Sequence, residues 1–122
     1  MESRKKVFKL EADQIKPLLP DNMGGSMATD KITVDGEPIT VMFRQEPAVD
    51  EDNGWIFLSG TETPDYLDNA DNWSIYAINT IANYDPAIIP YLDQLYGTEL
   101  HRVSGTDLFE VVEGDNSLFD RE

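Results

Sequence analysis

Two stretches of alternating apolar residues and one long helical stripe predict an α+β fold, a small antiparallel sheet packed against two consecutive helices. The chain has 122 residues, the size of one domain. Its hydrophobic fraction of 40%, with five Phe, five Tyr and two Trp, supplies a packed core despite a net charge of −15.

The elements follow in order. Val7–Leu10 reads as a short strand, and Glu11 to Leu19 as a turn or two of helix limited by Pro17. Pro20 to Ser26 reads as a loop. Ile32 and Val34 alternate with polar residues, Asp35-Gly36 is a favoured hairpin turn, and Ile39, Val41 and Phe43 alternate on the return. Arg44 to Gly54 is polar and reads as a loop. Trp55 to Ser59 is apolar on both faces, as a central strand would be. A helix capped by Asp71 or Asn72 is expected to carry the stripe Ile75, Ile78, Ile81 and Ala82. A second helix starts with Asp85 as N-cap and Pro86 at its first position. It buries Ile88, Ile89, Leu92 and Leu95 and stops at Gly97. Thr98 to Val103 and Leu108 to Val112 close the sheet around a turn at residues 104–107. Residues 1–26 are expected to form an appendage and loop, 27–112 the domain, and 113–122 a polar tail.

Charge separates these parts. Residues 1–20 hold five Lys or Arg and three Asp or Glu, whereas residues 21–122 hold four and twenty-one. Between Arg44 and Arg102 there are eleven Asp or Glu and no Lys or Arg. Such a surface repels nucleic acid and anionic membrane, so neither is an expected partner. The acidity serves solubility, or steers a basic protein partner to the chain. With no cysteine, no apolar run of about 20 residues and no uninterrupted apolar leader, a cytoplasmic location is expected.

Catalytic constellations are sparse. His101 is the sole histidine, which excludes a histidine-pair metal site, and it reads as a half-exposed strand residue. Nucleophile elbow, phosphate loop and dinucleotide fingerprint are missing from the sequence. A carboxylate-only hydrolase remains formally open, but it needs a cleft larger than this domain readily provides. Asp50-Glu51-Asp52-Asn53-Gly54 begins like a calcium loop, yet no glutamate closes it at the right distance. Asp65, Asp68 and Asp71 recur every three residues, as on a solvated turn. No metal, no cofactor and no enzymatic activity are therefore expected.

Arg44-Gln45-Glu46-Pro47, the run Asp52-Asn53-Gly54-Trp55-Ile56-Phe57-Leu58-Ser59-Gly60, then Glu62 and Tyr66, resemble the core of the bacterial immunity protein 33 domain family. Ile81-Ala82-Asn83-Tyr84-Asp85-Pro86, with Ile89, Leu92 and Gly97-Thr98, resembles that family's helical half. The resemblance spans residues 27–112, and Asn53 stands where the family often has Ser. It implies a member of a group long catalogued as a domain of unknown function, some of whose members are proposed to neutralise toxins by binding them. The expected function is then a non-enzymatic protein-binding module whose partner is a basic toxin domain. The alternative is a regulatory or small-ligand-binding domain using the Trp55 to Tyr66 region as its pocket.

Trp55 and Phe57 are expected in the core. Arg44 forms an internal salt bridge with Glu46, Asp52 or Glu62, or else faces the partner. The candidate partner contacts are Arg44, Asp50, Glu51, Asp52, Glu62, Asp65, Tyr66 and Asp68.

Overall fold

Residues 7–20, 23–47 and 52–112 are described by the computed structural model. Among them are six strands: β1 (Gly25–Thr29), β2 (Val41–Arg44), β3 (Asp52–Leu58), β4 (Trp73–Ala77), β5 (Glu99–Arg102) and β6 (Phe109–Val111). The α-helices are α1 (Asp30–Thr33), α2 (Pro64–Asp68) and α3 (Ile78–Tyr84). Short 3-10 turns occupy Ala12–Gln14, Ala70–Asn72 and Pro86–Tyr91. The fold is α+β. Its sheet is larger than expected and mixed, in the order β4-β1-β3-β2-β5-β6, because β1 pairs with β3 in parallel while the other pairs are antiparallel.

β3 is the central strand its composition implied, buried from Gly54 to its end. Trp55 and Phe57 point to one face, where they stack 5.9 Å apart and join Ile32, Met42, Ile78, Ile81, Ile88, Leu92 and Leu100. Ile56 and Leu58 point to the other and join Val41, with Met27, Phe43, Leu67 and Trp73 packed against them. The first face carries α3 and the turn at Pro86–Tyr91, the second carries Leu67 of α2. Ile89, expected in the core, is half-buried against it.

Several elements differ from the sequence expectation, each for a local reason. Val7–Leu10 is not a strand, and the helix expected after it is one 3-10 turn. Residues of this segment lie along α3: Asn79 Oδ1 accepts from the Leu18 and Leu19 amides at 2.8 and 2.9 Å, and Asn83 Oδ1 accepts from Lys16 at 2.9 Å. Gly25 and Ser26, expected in a loop, begin β1. Ile32 lies in a helical turn and not in a strand; the Val34 and Gly36 amides donate to Asp30 and Ile32 carbonyls. Gly36 has φ +78°, and a glycine in that region ends a helical turn as readily as it makes a hairpin. Trp73–Ala77 is a strand, so the expected long helix starts only at Ile78, and Ile75 is 75% exposed. The helix expected from Asp85 is a 3-10 segment ending at Tyr91, which leaves Leu95 80% exposed. Asp85 does cap it, accepting from the Ala87 amide. The closing hairpin β5–β6 forms as expected.

Gly54 sets how Arg44 is presented. Its φ is +86°, and an added Cβ would overlap the Gln45 carbonyl oxygen, while Gln45 N–H donates to the Gly54 carbonyl at 3.0 Å. The glycine thus lets β2 and β3 run past their last sheet pair, Arg44 with Trp55.

Candidate partner-binding site

Arg44 ends β2 facing the same side as Trp55. Its Nε donates to the Asn53 carbonyl and one terminal nitrogen donates to the Gln94 carbonyl, both at 2.8 Å. The guanidinium lies over the Trp55 ring at 5.8 Å and the Tyr96 ring at 4.7 Å. Stacking and carbonyl acceptors therefore hold it, in place of the ion pair with Glu46, Asp52 or Glu62 that was one of its two expected roles, the other being to face a partner. Trp55 itself is 1% exposed and donates through Nε1 to the Leu92 carbonyl, so it offers no wall to a ligand pocket.

Asp52 starts β3, and its Oδ1 accepts from Gly54 N–H at 2.8 Å, a local turn that shapes the strand entry. Asp50 and Glu51 lie outside the described residues.

Glu62 sits past the far end of β3. Its Oε2 accepts from Thr29 Oγ1 at 2.6 Å and Ser59 N–H at 2.9 Å, and its Oε1 from Gly60 N–H at 2.9 Å. These bonds tie the end of β1 to the exit of β3. Replacing Glu62 with Ala is expected to lower stability by about 1–3 kcal/mol, the cost of stranding such donors, as read from urea unfolding. A midpoint unchanged from the parent would show that these bonds contribute nothing and leave Glu62 as the exposed partner contact the sequence suggested.

Asp65, Tyr66 and Asp68 lie on α2, which Thr63 caps by accepting from the Tyr66 amide. The two aspartates are exposed and Tyr66 is half-buried, with Lys31 Nζ 5.3 Å from its ring centroid. Burial, together with Asp30, Asp35 and Glu62, pushes the Tyr66 phenol up to about 12. An unfolded phenol loses its proton near pH 10, before the folded one, so the unfolded state gains on the native state between about pH 10 and 12. Phenolate absorbance should show a tyrosine titrating near 12 that is lost in Tyr66→Phe; an unchanged titration in that variant would remove this assignment.

The six described candidates do not converge. Asp52 and Glu62 flank opposite ends of the seven-residue β3, about 20 Å apart at roughly 3.3 Å per residue. Arg44 belongs with Asp52, and Asp65, Tyr66 and Asp68 belong with Glu62. Among the described residues no three His, Cys, Asp or Glu side chains are placed to hold a metal ion.

Three features escaped the sequence reading. Arg102 binds Asp85 Oδ2 at 2.7 Å and Asp107 Oδ1 at 2.8 Å; the bond to Asp85 raises the guanidinium's pKa above its ordinary value, outweighing the opposing effect of burial. Glu99, 2% exposed, binds His101 Nε2 at 2.7 Å. Beside α2, Met27, Ala70, Trp73, Ser74 and Ile75 line a groove of about 400 Å³. The alternation in Trp73-Ser74-Ile75-Tyr76-Ala77 was the available signal for that strand, but it competes with the i, i+3 spacing of Ile75 and Ile78.

One family description, the Immunity protein Imm33 domain, matches residues 26–112, from the second residue of β1 to just past β6. The chain belongs to this immunity protein family. The matched span takes in all six strands of the sheet apart from Gly25, the first residue of β1. No curated protein and no solved structure matches the chain. Among the described residues, no helix is long and apolar enough to cross a membrane.

Proposed function

We propose that this Imm33-family chain is a non-enzymatic, cytoplasmic immunity-type protein that neutralises a toxin by binding a basic surface on it. The observation that carries the reading is the coincidence of the family match with a 57-residue window, Gln45 to His101, that holds eleven acids and no Lys or Arg. Residues 27–112 are its functional unit. The exposed carboxylates Asp65 and Asp68 on α2 stand clear of the hydrogen bonds that occupy Glu62 and Asp52, and they contribute to steering.

The reading expects a toxin-bearing secreted protein to be encoded beside this gene, and the test is co-expression with it, scored by rescue of growth and by isolation of a one-to-one complex. Failure to rescue and failure to bind would overturn the reading. Within the complex, raising salt from 20 to 150 mM (about a threefold shorter screening length) should slow association markedly and change dissociation little. Reversing Asp65 and Asp68 to Lys should reproduce that loss at low salt while leaving the melting temperature nearly unchanged. An association rate indifferent to both would assign the acidity to solubility alone.

A further inference from the structure

Among the described residues, no strand pairs with the outer side of β4, the first strand in the sheet order. Sheet edges are ordinarily blunted by charge, proline or shortness, since their free amides and carbonyls template pairing with another chain. The other edge, β6, is three residues long and carries exposed Glu110. β4 is five residues long, and Trp-Ser-Ile-Tyr-Ala contains neither a charge nor a proline.

The register shows which of its groups face outward. Ile78 N–H donates to the Gly24 carbonyl, which makes this a hydrogen-bonded pair. In an antiparallel ladder such pairs alternate, so Tyr76–Ser26 and Ser74–Ala28 are bonded and Ile75–Met27 is not. The Ile75 N–H and C=O therefore point away from β1. The Ile75 side chain, 75% exposed, stands beside the groove that it forms with Met27, Ala70 and Trp73. Trp73 is fixed there by its Nε1–H donating to the Leu67 carbonyl at 2.9 Å. In the chain, Asp71 falls between the groove residues Ala70 and Trp73 and Asp68 two positions before Ala70, and both are exposed.

On the reading that this chain is a partner-binding protein, we propose that β4 accepts an extended, basic segment of the partner as a seventh strand. The segment's backbone pairs with Ile75, an apolar side chain enters the groove, and its Lys or Arg residues meet Asp68 and Asp71. Charge decides against a second copy of this chain as occupant. Each copy carries −15, and pairing two of them would bring like-charged surfaces together.

The probe is a blocked ten-residue peptide of alternating valine and lysine, titrated into the isotope-labelled chain at 20 mM salt and followed by amide NMR. A peptide alternating valine and glutamate is the control. Expected are shifts centred on the Ile75 and Ala77 amides and the Trp73 indole N–H, with no response to the acidic peptide. Ile75→Pro deletes an outward-facing donor at an edge position that tolerates proline, and should weaken binding at least ~10-fold. Ile75→Lys keeps the backbone donor but adds like charge at the groove, and should weaken it as well. Absence of binding, shifts centred elsewhere, or equal binding of the acidic peptide would overturn the proposal. So would an Ile75 amide protected from exchange in the free chain, or β4 signals that change with protein concentration alone. The neutralisation assay separates the two readings. A chain that binds the basic peptide at β4 but rescues no toxin removes the immunity function and keeps the edge site. Rescue that survives both Ile75 variants, with peptide binding lost, places the toxin contact elsewhere and overturns β4 as the partner site.

Discussion

Phe57→Ala should cost about 3–5 kcal/mol, a large part of the 5–15 kcal/mol that ordinarily holds a domain together. Phe57 is fully buried, lies between Met42 and Ala28 in the neighbouring strands, and stacks on Trp55. Truncation opens a cavity where β1, β2 and β3 meet the helical layer, and the flanking backbone is pinned by sheet pairs on both sides, so collapse is restricted. Thermal melts followed by circular dichroism should show a fall of more than ~10 °C. Ile75→Ala, at the exposed edge, should stay within about 0.5 kcal/mol of the parent. A Phe57→Ala protein melting within a degree or two of the parent would mean that β3 is not the centre of the core.

Asp85→Ala is expected to cost a similar 3–5 kcal/mol, through polar groups rather than packing. Both side chains of the Asp85–Arg102 pair are nearly withdrawn from water, at 11% and 12% exposure. Asp85 Oδ2 also accepts from Ile39 N–H at 2.9 Å, and Oδ1 caps the segment that begins at Pro86. Alanine would strand the Ile39 donor, uncap the turn and leave Arg102 without its inner carboxylate. Asp107, 87% exposed, also binds Arg102, but its removal should cost less than about 1 kcal/mol because water screens it. Adding Arg102→Met to Asp85→Ala should recover part of the loss in urea melts, since the buried cation is then gone. Strictly additive losses for the two changes would show that they do not act as a pair.

The candidate site was only partly legible. Exposure of Asp65 and Asp68 follows from their surroundings in α2, a short polar helix opened by Thr63 and Pro64. Glu62 looked equivalent to them in the sequence. Its carboxylate is committed to Thr29, thirty-three residues away, and to two amides of the β3 exit, a geometry that no local pattern encodes. Arg44 was singled out as a lone cation among acids, yet proximity in sequence misjudged its partners. It donates to carbonyls at Asn53 and Gln94 and lies over the Trp55 and Tyr96 rings, with no ion pair, among the described residues, to the acids it was expected to meet.

The sequence alone determined those elements whose signal is local and redundant. β3 is apolar on both faces, β5 and β6 flank a polar turn, and Asp85-Pro86 joins an N-cap to a residue that suits the first helical position. Family membership also rested on short contiguous runs. Tertiary structure decided the rest. β1 is Gly-Ser-Met-Ala-Thr, a sequence with little strand preference, and it is a strand because β3 and β4 supply hydrogen bonds on both sides. Its small residues let it lie flush beneath the helical layer, with Ser26 and Ala28 fully buried. Ile75 satisfies a helical stripe and a strand alternation equally well. Pairing of Ser74 and Tyr76 with β1 resolved the ambiguity, and in doing so it turned a residue expected in the core out to the open edge of the sheet.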